Sequence, residues 1–245
     1  MEHPRVSVIL PALNEAEALP ATLRALAPAR AGGAEVIVVD GGSADDTPAL
    51  AGAGADRVLA GPRGRARQMN AGAEAATGEV LWFLHADTLA PPDALEQIAA
   101  GLDRGRRWGR FDLRLSGRRR WPLRVVEQGI NLRSRLQGLG TGDQGLFVER
   151  SLFEAVGGFP DQPLMEDLEM ALRLRRRAGR PACPRGPLVT SSRRWETHGV
   201  LRTVLLMWRL RAAYALGADP HRLHRRYHGR DVDTGAGARE HAGQR

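Results

Sequence analysis

Gly78-Glu79-Val80-Leu81-Trp82-Phe83-Leu84-His85-Ala86-Asp87-Thr88 decides the fold. Residues 80–84 form an unbroken apolar run that is too short for a helix, and Gly78 bounds it. Such a run reads as a strand buried on both faces, the kind found inside parallel sheets. It stops abruptly at His85-Ala86-Asp87. Polar residues at the carboxyl end of a central parallel strand lie where open α/β sheets bind ligands. One Asp after a strand is more often a turn cap, so the reading depends on whether other strands end the same way.

They do. Working outward, Val6-Ser7-Val8-Ile9-Leu10 reads as a first strand running into Pro11-Ala12-Leu13-Asn14-Glu15. Residues 35–39 read as a second, ending in Asp40-Gly41-Gly42-Ser43. Three strand ends therefore carry acids, Glu15, Asp40 and Asp87, on one edge of one sheet. Between them, Leu19, Leu23 and Leu26 fall at helical spacing over residues 15–26. Ser43 with Asp46 has the form of a capping box that would start a helix at that point. Residues 57–59 suit a short strand. Residues 65–77 suit a helix with Ala66, Met69, Ala73 and Ala76 on one face and Gly78 as its stop. Alternating strands and helices with short connections predict a doubly wound, mostly parallel α/β sheet with helices on both faces.

Composition narrows the chemistry. The chain has 245 residues, a hydrophobic fraction of 42% and a net charge of +8. All 36 basic residues are Arg, which excludes a Walker lysine and Schiff-base catalysis. Arg forks match phosphate oxygens, so the excess fits an anionic ligand as well as a compositional bias. The single cysteine, Cys183, excludes an intrachain disulfide and a Cys-based zinc site, and reads as a structural thiol. No signal peptide and no membrane-spanning segment is read, which predicts a cytoplasmic location. No G-x-G-x-x-G and no G-x-x-x-x-G-K-[ST] follows a strand, so the dinucleotide and P-loop fingerprints are missing.

Residues 101–120 are less readable, with Arg runs at 104–107 and 118–120 around an alternating strand at 111–115. Residues 123–136 read as a helix. Glu166-Asp167 opens another that runs to about Ala178, and acids in a first helical turn are also ordinary electrostatics. Residues 200–216 are apolar but interrupted by Arg202, Arg209 and Arg211. That spacing gives an amphipathic helix with two readings. It packs on the domain or a second subunit as a homodimer, or it lies in a membrane interface, where Trp208 and the arginines suit anionic lipid. Residues 229–245 lack periodicity and read as a disordered tail.

Together these motifs resemble the family 2 glycosyltransferases of GT-A fold. The resemblance rests on Ser7-Val8-Ile9-Leu10-Pro11 with Asn14-Glu15, Val38-Val39-Asp40-Gly41-Gly42-Ser43, and Gly64 with Asn70-Ala71-Gly72. It extends through a D-x-D-like His85-Ala86-Asp87, Gly142-Asp143-Gln144-Gly145, Met165-Glu166-Asp167 and Arg193-Arg194-Trp195. The later motifs are also similar to a bacterial subgroup linked to arsenosugar-type biosynthesis. Two departures stand out: His85 replaces the first Asp of D-x-D, and Ser191 stands where Q-x-x-R-W has Gln. The first leaves one carboxylate for a metal, and the second, with the short chain, argues against a processive polymerase.

The resemblance implies one domain over residues 1–228, with a nucleotide-sugar half at about 1–100 and an acceptor half at 101–228. It implies an inverting, metal-dependent transfer of a sugar from a nucleoside diphosphate, UDP first, to an acceptor hydroxyl. Asp87 would hold Mn2+ or Mg2+ against the leaving phosphates. Asp40 would take the base, with Pro11, Asn14, Glu15, Gly41, Ser43, Asn70, His85 and Ala86 around the nucleotide sugar. Arg65 or Arg67 would lie near the phosphates or base, the plainer reading being a solvated helix face. Asp143 and Gln144 fall on the acceptor side. Asp167 would be the general base, supported by Glu166. Arg194 and Trp195 would cover the donor, and His198 would be a second metal ligand or simply an exposed histidine near a helix start. Two rivals compete. A sugar-1-phosphate nucleotidyltransferase would want a Gly-rich basic loop where residues 11–15 read P-A-L-N-E. A basic nucleic-acid binder has only the net charge behind it.

Overall fold

The computed structural model describes residues 4–117 and 121–228, apart from the side chains of Arg194, His198 and His228. The tail at 229–245 and the Arg run at 118–120 lie outside the described residues. In chain order the first half contains β1 (Val6–Ala12), α1 (Leu19–Ala25), α2 (Ala27–Ala31), β2 (Glu35–Asp40), α3 (Thr47–Gly52), β3 (Arg57–Ala60), α4 (Arg65–Ala75), β4 (Val80–Phe83), β5 (Thr88–Leu89) and α5 (Ala94–Leu102). The second contains β6 (Trp108–Gly109), β7 (Leu113–Leu115), α6 (Trp121–Gln137), β8 (Phe147–Glu149), α7 (Arg150–Ala155), α8 (Glu166–Ala178), β9 (Leu188–Thr190), α9 (Arg193–His198), α10 (Val200–Ala215) and α11 (Pro220–His228).

The main sheet has the order β3-β2-β1-β4-β8-β6. β1 pairs in parallel with β2 on one edge and β4 on the other, Ile9 facing Ile37 and Phe83 in register. β8 joins antiparallel to β4. The chain thus leaves β1 toward β3 and returns to add β4 on its other side. That reversal opens a crevice at the carboxyl ends of β1 and β4. A smaller sheet, β5-β9-β7, sits beyond it.

Alternation along the strands fills two cores. On one face Val8, Leu10, Val36, Val38 and Trp82 meet Leu19, Leu23 and Leu26 at the α1–α2 junction and Ile98 of α5. On the other, Ile9, Ile37, Val39, Leu81 and Phe83 meet Met69 and Ala73 of α4, Phe153 of α7 and Met170 and Leu174 of α8. Layers of helix, sheet and helix result, the α/β arrangement expected from the sequence.

Local chemistry corrects two expectations. The helix expected from residue 15 begins at Leu19, where Pro20 fits the first turn, and breaks at Leu26 before Pro28. The Ser43 capping box does not form. The Ser43 hydroxyl donates instead to Asp40 Oδ1 at 2.5 Å, and the helix starts at Thr47 with Pro48 behind it.

Gly72 shows how closely α4 lies on the sheet: a Cβ there would overlap the Ile9 side chain and approach Val39 Cγ2 at 3.1 Å. Helix propensity alone favours Gly→Ala by up to about 1 kcal/mol, whereas overpacking a core costs about 1–3 kcal/mol. Packing should win, because the obstructing atoms belong to β-branched side chains of the central strands. Gly72→Ala is expected to lower the denaturant midpoint, and an unchanged or raised midpoint would show that α4 can lift off the sheet.

Candidate active site

The crevice between β1 and β4 is a cleft of about 270 Å³. Pro11 and Glu15 enter it from β1, and His85, Ala86 and Asp87 from β4. Arg65, at the start of α4, Asp143 and Trp195 complete the sequence-expected residues that line it. Leu115, Thr190, Ser191, Arg193, Thr203, Met207 and Tyr227 line it as well.

Beside the cleft, a hydrogen-bonded tie joins two strand-end loops. Asn14, at φ 55, accepts from the Ala44 N–H through Oδ1 at 2.8 Å, and its own N–H donates to Ser43 Oγ at 2.9 Å. The Glu15 N–H donates to Thr47 Oγ1 at 2.8 Å. Asp40 accepts from the Gly42 N–H at 3.0 Å and the Ser43 N–H at 3.1 Å. Gln68, which the sequence did not single out, donates through Nε2 to the carbonyls of both Ala12 and Val39 at 2.8 Å. Gly41 lies against that amide, where a Cβ would come within 2.9 Å of Nε2. Asn14, Asp40, Gly41 and Ser43 therefore shape the loops beside the cleft and are not among its lining.

At the β4 side, the Thr22 hydroxyl donates to the Ala86 carbonyl at 2.7 Å and fixes the turn that presents His85 and Asp87. Burial raises the Glu15 carboxyl above its ordinary value, and Asp87 adds to it. Burial, then Arg65, holds the His85 imidazole down to about 4, so it is neutral at pH 7. Its Nδ1 lies 3.4 Å from Asp143 Oδ1.

Arg65 and His85 also line a small adjoining recess, together with Gly142 and Asp167. Asp167 Oδ2 accepts from the Gly142 N–H at 2.5 Å, and Oδ1 from the Leu168 N–H at 2.7 Å. Only a glycine fits at 142, because a Cβ would stand 2.7 Å from His85 Nε2. Glu166 is buried, 3.6 Å from Arg65 Nη1. Burial, then Asp167, pushes its carboxyl up from 4.5 to about 7. Burial alone lowers the Arg65 guanidinium, yet Glu166, Asp143 and Asp167 together hold it above its ordinary value.

Three expected residues face elsewhere. Arg67 forms a two-bond pair with Asp161 at 2.8 Å. Asn70 exchanges hydrogen bonds with the Phe159 backbone at 2.9 Å. Gln144 is fully buried, donating to the Phe111 carbonyl and accepting from Ser134 Oγ. The side chains of Arg194 and His198 lie outside the described residues, although the backbone of α9 that carries them does not. Among the described residues no group of three or more His, Cys, Asp or Glu converges to hold a metal ion.

Glu166 and His85 give opposite pH signatures. Glu166 has a raised folded value, so its contribution to stability is whole below about 4.5 and is lost as pH rises through about 7. His85 has a depressed one, so its contribution is whole above 6.5 and is lost as pH falls through about 4. Comparing Glu166→Gln with wild type at each pH isolates the carboxyl. The variant's melting temperature relative to wild type should climb between pH 4.5 and 7 and then level off. The full span corresponds to at most about 3 kcal/mol. A difference that stays constant across the window would contradict a buried, titrating Glu166.

The Glycosyl transferase family 2 model matches residues 7–156. An uncharacterized glycosyltransferase of Mycobacterium tuberculosis is 39% identical over 124 residues, covering 48% of this chain and 52% of that protein. The chain thus spans about half the length of the curated relatives it matches. Among solved structures, the mannosyltransferase PcManGT from Pyrobaculum calidifontis in complex with GDP-Man and Mn2+ superposes with a TM-score of 0.63 at 25% identity, covering 93% of this chain and 65% of that one. S. aureus TarS in complex with UDP-GlcNAc gives a TM-score of 0.63 at 19% identity, covering 76% and 58%. With the switch-point cleft of a GT-A sheet and a family match over more than half its length, the chain belongs to glycosyl transferase family 2.

Proposed function

We propose that the protein transfers a sugar from a nucleoside diphosphate, UDP being the first to test, to an acceptor hydroxyl with inversion. One observation carries this reading. The strand-end acids Glu15 and Asp87 share a cleft with His85 and Arg65, and those two also border the recess of Asp167. Donor and base thus meet from two sides. Residues at about 1–100 supply the donor half and 101–228 the acceptor half of one domain.

In this reading Asp167 takes the proton of the acceptor hydroxyl. The hydroxyl oxygen bonds to the anomeric carbon as the bond from that carbon to the β-phosphate oxygen breaks, and the nucleoside diphosphate leaves. The Gly142 and Leu168 N–H groups orient the carboxylate without closing it off. Glu166 beside it keeps a neutral fraction at pH 7, so less negative charge is crowded against Asp167 than two ionised carboxylates would bring.

The residues present fit a divalent cation bound together with the donor. Burial and then Asp87 raise the cost of ionising Glu15, which a cation would relieve, and an incomplete protein shell suits an ion that keeps phosphate and water ligands. Asp87 would hold it, with His198 as a further candidate, and Mn2+ or Mg2+ would supply charge neutralisation at the diphosphate. The Mn2+ in the Pyrobaculum mannosyltransferase complex supports this. Arg193 and Trp195 line the cleft, and Trp195 with Arg194 would cover the donor.

Leu201, Leu205 and Trp208 are exposed on α10 beside Arg202 and Arg209. That pattern supports peripheral contact with an anionic lipid surface at the cytoplasmic face; self-association through the same helix is the competing outcome. No described helix is long and apolar enough to cross a membrane. Phosphatidylglycerol vesicles should sediment the wild-type chain and release Trp208→Glu. Retention of the variant, or a concentration-dependent dimer that it abolishes, would turn the reading to protein contact.

Two substitutions test the chemistry. Asp167→Asn should keep UDP-induced thermal stabilisation and lower transfer by about a hundredfold or more. Asp87→Ala should remove the Mn2+-dependent part of that stabilisation while leaving the unliganded melting temperature in place. Normal turnover in the first, or unchanged metal dependence in the second, would move the role to another residue.

A further inference from the structure

Most arginines packed near the cleft have an identified counter-group. Arg65 faces Glu166 at 3.6 Å. Arg110 and Arg135 both hold Asp112 at 2.6 Å. Arg180 donates to the carbonyls of Arg135 and Leu136. Arg133 and Arg211 differ: among the described residues neither has an ion pair or a hydrogen bond. Arg133 Nε is buried with no partner. An unpaired, partly buried guanidinium is costly, which makes two of them together an arrangement in want of an anion.

The two helices flank the elements that carry Asp143 and Asp167. Arg133 precedes Ser134, whose Oγ donates to Gln144 Oε1 at 3.0 Å. That contact seats α6 on the Gly142–Gln144 turn, which carries Asp143 and donates to Asp167. Arg211 follows Leu210, which packs with Met165 and Leu168 on either side of Glu166 and Asp167. It also lies one helical turn beyond Met207, a lining residue of the cleft. The two cations sense each other: burial first, then Arg211, lowers the Arg133 guanidinium to about 10, and burial lowers Arg211. Asp167 opposes the shift in both. Among the described residues, Asp167, Asp143 and Arg110 act on them besides each other.

We propose that Arg133 and Arg211 form a subsite for an anionic group, a phosphate or carboxylate, on the acceptor, holding it so that its hydroxyl lies at Asp167. Guanidinium forks bind such groups through paired N–H bonds, and the contact is strengthened in a partly dry site. The inference rests on the glycosyl-transfer reading for the word acceptor. The anion site itself stands on the arginines.

The test uses the full chain with glycerol 3-phosphate as probe and glycerol as its neutral match, each with and without saturating UDP and Mn2+. Melting temperature should rise with glycerol 3-phosphate and not with glycerol. In Arg133→Gln, Arg211→Gln and the double variant the probe should bind about tenfold or more weakly, while Arg67→Gln, whose pair with Asp161 lies outside the cleft, responds like wild type. UDP stabilisation should be equal throughout. If the double variant melts early without ligand, Arg211→Lys, which keeps the charge, should retain more probe binding than Arg211→Gln. Vesicles of phosphatidylcholine with and without phosphatidic acid form a second arm. Arginine-dependent binding to phosphatidic acid alone would put the anion on a lipid headgroup, and a response to glycerol 3-phosphate puts it on a soluble acceptor. No response to either probe, or responses unchanged in the double variant, would overturn the proposal. Loss of the UDP response with the arginine-dependent one intact would sink the donor reading and leave the anion site standing.

Discussion

The structure depends on where β1 lies. It is paired on both edges and covered on both faces, so every side chain from Val6 to Leu10 is buried. A strand so placed can contribute to a site only at its end. The reversal of strand order across β1 and β4 leaves that end uncovered. Gln68 then ties the two neighbouring strand ends from beneath, donating to the Val39 carbonyl and to the Ala12 carbonyl, which also accepts from the Gly41 N–H at 2.9 Å. A buried amide with both donors used costs little and fixes geometry, whereas an apolar residue there would lose both bonds, at about 0.5–1.5 kcal/mol each.

Charge is distributed to the same end. Acids gather on both sides of the cleft while Arg65 reaches across to Glu166. The pair is weak as a stabiliser, because taking Glu166 out of water offsets much of the attraction. Its consequence is a carboxyl that titrates near neutrality beside one held by two backbone N–H groups. Two adjacent acids thus stand in different surroundings. His85 stays neutral between them and Asp143, so it does not cancel the negative field.

The strands and the long helices could be read in the sequence because period and burial agree in them. Residues 80–83 are buried throughout, and the helix expected at 166–178 is α8. The arginine choice at 65 or 67 was also legible in principle. Two positions apart on a helix point about 200° apart, so only one can face the cleft, and Arg67 turns away to Asp161. Asn70 is amide chemistry spent on a loop, which sequence cannot separate from ligand binding. Thr203, Met207 and Tyr227 were illegible because they reach the cleft only through the packing of α10 and α11 on α8, a long-range event with no local pattern. Ser43 failed as a cap for a local reason: Asp40, three residues earlier, offers its hydroxyl a charged acceptor.

That packing also explains a strained residue. Among the described residues, Asn14 and Met165 are the non-glycine positions with left-handed backbones, at φ 55 and 65. Asn tolerates the conformation through its own side-chain bonds, as it does here with Ala44. Met has no such bond, and the conformation costs about 1 kcal/mol or more unless neighbours enforce it. Met165 is buried against Leu168, Leu210 and Leu223, so α10 and α11 hold it in place. The turn at Met165 is what starts α8 with Asp167 facing Gly142 and Glu166 facing Arg65. The helix that contributes Arg211 therefore also fixes the direction of Asp167, and a shift of α10 would move the anion site and the carboxylate together.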